Sequence, residues 1–249
     1  MDELTKKEYW GNIWKDHKPR KMGNCNFFDL FRKYLPVNPE MKCLEVGCTP
    51  GGFLVAFNKN FGYKVYGVDQ CGMDATRKNL EFNEVENYEL FESDFLKWEI
   101  NEKFDVVSSF GYIEHFKNPA LHIKKMVDLL AKDSYLVMSI PCFGNMNYIT
   151  HSLFDRENTN WKKIHNFKIM NLGFFEKTTE EFDLEPVYLG HYRFFSYWHK
   201  SKSPLFYAIN APISGASVIF NKITDAFMLN QLLANRLTSP FLVLIAKKK

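Results

Sequence analysis

The chain has 249 residues, of which 46% are apolar and 24% are charged, and this composition excludes an intrinsically disordered protein. Its 32 basic and 29 acidic residues leave a net charge of +3. That balance argues against a protein whose main task is to hold nucleic-acid phosphates, because such proteins carry a strong basic excess.

The beginning of the chain carries charges throughout and has no apolar core of the kind found in signal peptides. The sequence contains no stretch of 18 predominantly apolar residues, so no membrane-spanning helix is predicted. The five cysteines form no C-x-x-C pair and have no histidine at zinc-ligand spacing, so no metal site is expected. Together these features predict a cytoplasmic protein with reduced thiols.

Two helices are predicted in residues 1–40, ahead of any strand. The first covers residues 4–17, where Thr5 and Glu8 fit a capping box and Trp10 and Trp14 fall one helical turn apart. The second covers residues 26–34 and stops before a proline.

Strands and helices then alternate between residues 41 and 142. This order predicts a parallel sheet with helices on both faces. The predicted strands cover 42–46, 64–68, 88–91, 104–109 and 135–140, and the predicted helices cover 52–61, 74–83 and a segment that begins at Asn118 and Pro119.

The last 100 residues depart from this alternation. Residues 143–182 read as loop and helix, and two further strands are expected over 185–192 and 239–247. Between them, residues 194–238 form an aromatic-rich helical insert, in which residues 203–221 carry no charge. We expect this insert to be either a satellite core or a lid over a bulky acceptor, with peripheral membrane contact as a further reading.

The first predicted strand runs into a glycine-rich turn and then a helix, in the segment Cys43-Leu-Glu-Val-Gly47-Cys-Thr-Pro-Gly51-Gly52-Phe53. A turn of this kind lets the backbone approach a ligand at the carboxyl end of a parallel strand. Asp69 follows 22 residues after Gly47, near the spacing at which an acidic side chain holds ribose hydroxyls. Glu45 beside the turn disfavours a pyrophosphate and favours a ligand that carries ammonium or sulfonium charge.

These residues resemble the first motifs of class I S-adenosylmethionine-dependent methyltransferases. Three further segments match the family in order. They are Gly67-Val68-Asp69, Ser93-Asp94-Phe95 and Phe104-Asp105-Val-Val-Ser-Ser-Phe-Gly-Tyr-Ile-Glu114-His115-Phe116, the last of which is similar to the small-molecule branch. The resemblance implies an α/β fold with a seven-stranded, mostly parallel sheet whose last strand is antiparallel, in a single domain over residues 1–249 with its cofactor-binding core at 41–142.

The resemblance also implies the roles of individual residues toward S-adenosylmethionine and its product S-adenosylhomocysteine. Glu45 and the backbone from Gly47 to Gly51 would contact the methionine end, and Asp69 would hold the ribose. Asp94 and Phe95 would face the adenine, with Phe110 and Gly111 at the amino group. Asp94 as a turn cap and Phe95 as a core aromatic are the structural alternatives.

Two departures from the family pattern keep alternatives open. Thr49 replaces the usual middle glycine. This departure keeps open the alternative that the protein binds the cofactor but has no catalytic activity. The Pro50-Gly51-Gly52 run is similar to RNA ribose methyltransferases, although their remaining catalytic set is not matched.

The expected function is methyl transfer to a small molecule, a glycan or a lipid- or quinone-like precursor, at oxygen. Methylation of RNA or protein is the alternative, and no nucleic-acid partner is expected. A hydroxyl acceptor must lose its proton, so a group that titrates near neutrality is useful at the rim. His115 is the first candidate, and Glu114 would orient it or contact the cofactor. His165 is the second candidate. The sequence leaves the oligomeric state open.

Overall fold

The computed structural model describes residues 3–22, 25–154, 161–197 and 204–249. Its centre is a seven-stranded sheet in the order β3-β2-β1-β4-β5-β7-β6. The strands are β1 (Lys42–Val46), β2 (Lys64–Asp69), β3 (Tyr88–Glu92), β4 (Phe104–Phe110), β5 (Leu130–Pro141), β6 (Leu184–Tyr192) and β7 (Phe241–Lys248).

All strand pairs from β3 to β5 are parallel, whereas β7 runs antiparallel to both β5 and β6. This arrangement confirms the predicted class I methyltransferase fold with its antiparallel last strand. Because β1 lies between β2 and β4, the turn after it meets the ends of both strands.

Ten α-helices are described around the sheet. Their bounds are α1 (Lys7–Trp14), α2 (Phe28–Tyr34), α3 (Gly52–Phe61), α4 (Met73–Phe82), α5 (Ala120–Leu129), α6 (Met146–Phe154), α7 (Trp161–Ile164), α8 (Leu172–Glu181), α9 (Pro204–Ala226) and α10 (Asn230–Leu233).

One predicted helix cap is wrong. The first helix begins at Lys7, and its cap residue Lys6 makes no side-chain capping bond. The hydroxyl of Thr5 instead accepts a hydrogen bond of 3.0 Å from the indole N–H of Trp10. The residue that suggested a capping box therefore ties the chain before the helix to an aromatic side chain on it.

The apolar core forms two layers, one on each face of the sheet. One layer joins the helices α5 and α8 to the strands, and the other joins α2 and α3 to the strands. Successive residues of a strand point to opposite faces, so Leu44 lies in the first layer and Cys43 in the second. The buried centre of β1 fixes the position of the glycine turn that follows it.

The helical insert lies between β6 and β7, with residues 198–203 outside the described part. Its long helix α9 turns polar side chains inward: Asn210, Ser217, Asn221 and Thr224 are buried, whereas Ile219 and its apolar neighbours are exposed. No described helix is both long and apolar enough to cross a membrane.

Candidate active site

A cavity of about 410 Å³ opens at the carboxyl ends of β1, β2 and β4. This is where parallel sheets bind ligands, because the loops after adjacent strands diverge there. Five of the predicted cofactor-binding residues line it: Glu45, Gly47, Asp69, Phe110 and Gly111.

The glycine turn brings backbone into the cavity wall. Gly47 has φ +73°, and a Cβ there would lie 2.6 Å from a ring carbon of Tyr112. Gly51 has φ +86° and precedes the first residue of α3. A Cβ at Gly51 would lie 2.9 Å from the methyl group of Thr76, so this glycine permits close packing behind the turn and does not line the cavity itself.

Two carboxyl groups give the cavity its negative character. Glu45 is buried, and its Oε2 has no hydrogen-bond partner among the residues that the structure describes. Burial, together with the nearby Asp69, raises the pKa of Glu45 well above its ordinary value. Burial also raises the pKa of Asp69, although the backbone N–H of Thr49 donates to it at 3.1 Å. A cationic ligand would stabilise both groups in their ionised form.

Thr49 has a structural part in this turn. Its hydroxyl donates a hydrogen bond of 2.9 Å to the carbonyl of Cys71, and the hydroxyl of Thr76 lies 3.4 Å away. The residue that departs from the family's usual glycine thus links the turn after β1 to the segment after β2. Because its N–H binds Asp69, it also fixes the carboxylate predicted to hold the ribose.

An aromatic wall lies on the other side of the cavity. The rings of Phe53 and Phe110 stack with their centroids 3.8 Å apart. Gly111 follows with φ +71°, and its N–H donates to the carbonyl of Ser139. The wall therefore combines apolar surface with backbone at the end of β4.

Asp94 and Phe95 lie in a second, much smaller cavity of about 20 Å³. Tyr112 lines both cavities and stands between them. Asp94 accepts a hydrogen bond from the backbone N–H of Leu96, as a turn cap does, and Phe95 is buried. Both structural alternatives are thus present in the geometry, and the predicted adenine role of these two residues stays a prediction.

The N-terminal segment closes the cavity, a role that sequence reasoning did not assign. Trp10, Trp14, His17, Arg20 and Met22 all belong to its lining. The aromatic pair one turn apart on α1 was the available signal, but its spacing shows only that the two side chains share a face.

Hydrogen bonds hold this segment in place at both ends. The N–H of Leu4 donates to the carbonyl of His115 at 2.7 Å. Farther along, Asn79 accepts from the N–H of Arg20 at 3.0 Å, and Asn83 accepts from the N–H of Met22 at 2.8 Å. Asn79 lies on α4 and Asn83 directly follows its last residue, and both are buried, so α4 and its C-terminal end position the N-terminal segment over the cavity.

The three predicted catalytic residues lie together. His115 lines the cavity, and its Nε2 is 3.9 Å from Oε1 of Glu114. The rings of His115 and His165 have centroids 4.9 Å apart, although 50 positions separate them in the sequence. Glu114 and His165 do not line the cavity, so His115 is the member of the group that faces it.

The expectation that His115 titrates near neutrality is wrong. Burial, together with the nearby His165, lowers the pKa of His115 to about 3. Burial lowers the pKa of His165 as well, and it raises the pKa of Glu114 to about 8. Near neutral pH the two imidazoles are therefore uncharged.

The described residues of the insert do not line this cavity. Some of them, Asp225 and Asn230 among them, line a separate pocket with residues of α2. A lid function of the insert stays a prediction, and the cover over the main cavity comes from the other end of the chain.

A family model described as a methyltransferase domain matches residues 19–189. Among curated proteins, "Probable (S)-tetrahydroprotoberberine N-methyltransferase 2" of Papaver bracteatum is 23% identical over 128 residues, which are 50% of this chain and 36% of that protein. Ribosomal RNA large subunit methyltransferase E of Desulfatibacillum aliphaticivorans is 30% identical over 117 residues, 43% of this chain and 56% of that protein. The chain thus spans only part of both relatives.

One solved structure with the same fold is geranyl diphosphate C-methyltransferase from Streptomyces coelicolor A3(2), in complex with Mg²⁺, geranyl diphosphate and S-adenosylhomocysteine. It has a TM-score of 0.54 at 12% identity, over 97% of this chain and 79% of that chain. At this identity the likeness concerns the fold alone.

Proposed function

The chain belongs to the methyltransferase-domain family, and on that premise we propose that it binds S-adenosylmethionine and transfers its methyl group to a small molecule. The observation that carries the proposal is the pair formed by the buried Glu45 and the half-buried Asp69, which both line the cavity at the ends of β1 and β2. The ammonium and sulfonium groups of the cofactor would compensate Glu45, and its ribose hydroxyls would donate to Asp69.

Calorimetry with S-adenosylhomocysteine tests the binding step. We expect saturable binding with one site per chain, which Asp69→Ala weakens and the exposed Asp74→Ala leaves unchanged. Wild-type protein without saturable binding would refute the proposal, as would equal affinity in the two variants.

We propose oxygen as the methylated atom, in a glycan or a lipid- or quinone-like acceptor. Direct displacement requires mainly that the donor carbon and the acceptor atom be held in line, which can contribute about 7–11 kcal/mol. The support for oxygen is the group of hydrogen-bond acceptors formed by Glu114, His115 and His165 next to the cavity, since a hydroxyl must lose its proton during transfer.

Transfer of labelled methyl groups into cell extract, followed by separation into lipid, glycan, RNA and protein fractions, tests the acceptor class. We expect the label in the lipid or glycan fraction. An amine-specific analysis of this fraction should find no labelled methylamine. We expect His115→Ala to lower this transfer by more than a few-fold without loss of cofactor binding. A rate within a few-fold of wild type would exclude His115 from the chemistry.

RNA is the second candidate acceptor, because one curated relative of partial length is a ribosomal RNA methyltransferase. The near balance of 32 basic and 29 acidic residues favours the small-molecule acceptor. Label confined to the RNA fraction would reverse this order.

We also propose that the outward face of α9 rests on an anionic membrane surface. Ile219, Ile223 and Phe227 are at least half exposed, whereas the buried face of the same helix is polar. On that polar face, Ser217 accepts a hydrogen bond of 2.9 Å from the N–H of Tyr197. A helix with its polar residues inward and its apolar residues outward fits a hydrocarbon boundary.

The charges near this face fit anionic headgroups. Lys222 and Arg236 are exposed, and the acidic Asp225 is paired with Arg193 at 2.7 Å. We expect the protein to co-sediment with phosphatidylserine-containing vesicles at low salt, and Ile219→Ser with Phe227→Ser to abolish this. Ile13→Ser, on the exposed side of α1, is the matched control. No co-sedimentation of the wild type would rule the membrane out, and a concentration-dependent dimer would assign the face to a second copy.

A further inference from the structure

Three side chains that can bind metal ions meet beside the cofactor cavity. Glu114 and His115 belong to the 3-10 turn Ile113–His115 after β4, and His165 follows α7. One potential ligand atom from each lies within 4.8 Å of those from the other two. The sequence alone predicts no metal site here, because 50 residues separate the two histidines and no short spacing marks them.

The hydrogen bonds of both imidazoles leave the same nitrogen available. Nδ1 of His115 lies 2.7 Å from the carbonyl oxygen of Ile164, and Nδ1 of His165 lies 2.7 Å from that of Trp161. A carbonyl can only accept, so in each ring Nδ1 carries the hydrogen and Nε2 carries the lone pair. Metal-binding histidines are typically oriented in this way, with the second ring nitrogen donating to a carbonyl or carboxylate.

Glu114 supplies an oxygen without a partner. This residue is 1% exposed, and its Oε2 makes no hydrogen bond within the described part of the chain. Oε1 faces Nε2 of His115 at 3.9 Å, which is too far for a hydrogen bond. Two imidazole lone pairs and an unpaired carboxyl oxygen thus meet in a buried place, where an unsatisfied polar atom is destabilising.

We infer that Glu114, His115 and His165 form a binding site for one divalent transition-metal ion. Two imidazole nitrogens and one carboxylate oxygen suit Zn²⁺ and related ions, and a three-ligand site leaves a position for water or substrate. His115 lines the cavity, so this open position faces the place where the acceptor would enter. With metal–ligand bonds of about 2.0–2.2 Å, the three side chains close toward the ion by roughly 1 Å.

The consequence for catalysis rests on the proposed function, whereas metal binding itself does not. An acceptor hydroxyl bound at the open position becomes more acidic and releases its proton to water. The resulting oxyanion attacks the methyl carbon, an O–C bond forms, and the C–S electron pair remains on the sulfur of S-adenosylhomocysteine. The site thereby selects acceptors with an accessible hydroxyl or a pair of adjacent oxygens.

Metal titration tests the site without any activity assay. Protein stripped with a chelator is titrated with Zn²⁺ in competition with a chromogenic chelator, and with Co²⁺ for its visible d–d absorption. We expect one ion per chain. Glu114→Gln and His165→Gln should each weaken Zn²⁺ binding by more than the 10–100-fold that loss of an outer-shell partner costs. His191→Gln, the same change in a half-buried histidine of β6, should leave the affinity unchanged.

Zinc-edge X-ray absorption on the wild type gives a second readout that does not depend on the folding of variants. Two imidazole ligands are expected. Absence of saturable Zn²⁺ binding, no imidazole ligands, or wild-type affinity in both variants would overturn the inference. Calorimetry with S-adenosylhomocysteine on the same metal-free protein separates this failure from failure of the methyltransferase proposal.

Discussion

Two helices added to the same sheet expose opposite kinds of surface. The N-terminal helix α1 directs Trp10 and Trp14 toward the cavity, so its apolar side chains cover a ligand site. Helix α9 buries Ser217 and Asn221 and leaves Ile219 in solvent. The first helix turns its aromatic side chains to a cavity, whereas the second leaves its apolar face uncovered by the described residues. Both helices are amphipathic. The segments that pack against each helix decide whether its apolar or its polar face is covered.

The largest expected effect lies on the cavity side. Replacing Asp69 by Ala should weaken S-adenosylhomocysteine binding by about 10²–10⁴-fold, because two hydrogen bonds to a charged group contribute about 1.5–3 kcal/mol each. Calorimetry measures the change, and Ile219→Ser on α9 serves as the control on the other side of the comparison. A similar loss of affinity in both variants would show that the two helices are not functionally separate.

Glu45→Gln should change affinity and stability in opposite directions. The variant loses the charge that compensates the cofactor, so binding weakens by about 10–100-fold, the effect of one charged contact. Burial raises the pKa of Glu45 in the folded state, so its contribution to stability is present below pH 4.5 and is lost as pH rises through the folded pKa.

Thermal unfolding of the ligand-free protein between pH 5 and 8 checks the expected change in stability. The free energy of unfolding of Glu45→Gln should increase relative to wild type as the pH rises. Constant differences across this range would mean that Glu45 is ionised equally in the folded and unfolded states.

A change in the N-terminal segment that covers the cavity should have a smaller effect on cofactor binding. Trp14→Ala removes part of the cavity wall, and we expect a roughly tenfold loss of S-adenosylhomocysteine affinity, equal to about 1.4 kcal/mol. Ile13→Ala changes the exposed neighbour on the same helix and should leave the affinity near that of wild type. Equal affinities of the two variants would place the cover outside the binding site.

The smallest effect separates the two faces of α9. Ser217→Ala removes the acceptor of the Tyr197 N–H and should lower the free energy of unfolding by about 1 kcal/mol. Val218→Ser, one residue farther and half exposed, should change it by less than about 0.5 kcal/mol. Chemical denaturation measures both, and a larger loss for Val218→Ser would mean that the outer face packs against protein in solution.

Local patterns in the sequence predicted the order of strands and helices. They also predicted the glycine turn after β1. Buried parallel strands are short apolar runs. The glycine turn after β1 is visible because glycine is favoured at the positive φ of Gly47 and Gly51, where a Cβ would also lie within 3 Å of a neighbouring side chain. Asp69 was found by its distance from the turn and does lie in the cavity. The strands, the glycine turn and Asp69 could all be predicted from residue types and their spacing along a short part of the sequence.

The cover, the outward face of α9 and the protonation of His115 were decided by tertiary contacts. Whether Trp14 faces the cavity depends on Asn79 of α4 and on Asn83 directly after it, more than 60 residues away in the sequence. The low pKa of His115 depends on burial by distant segments. The sequence determined the sheet and the ligand-facing turn, because backbone geometry and apolar periodicity act over a few residues. Only the folded chain decided which helix covers the cavity and which three side chains meet beside it, because packing and electrostatic fields join residues that the sequence holds apart.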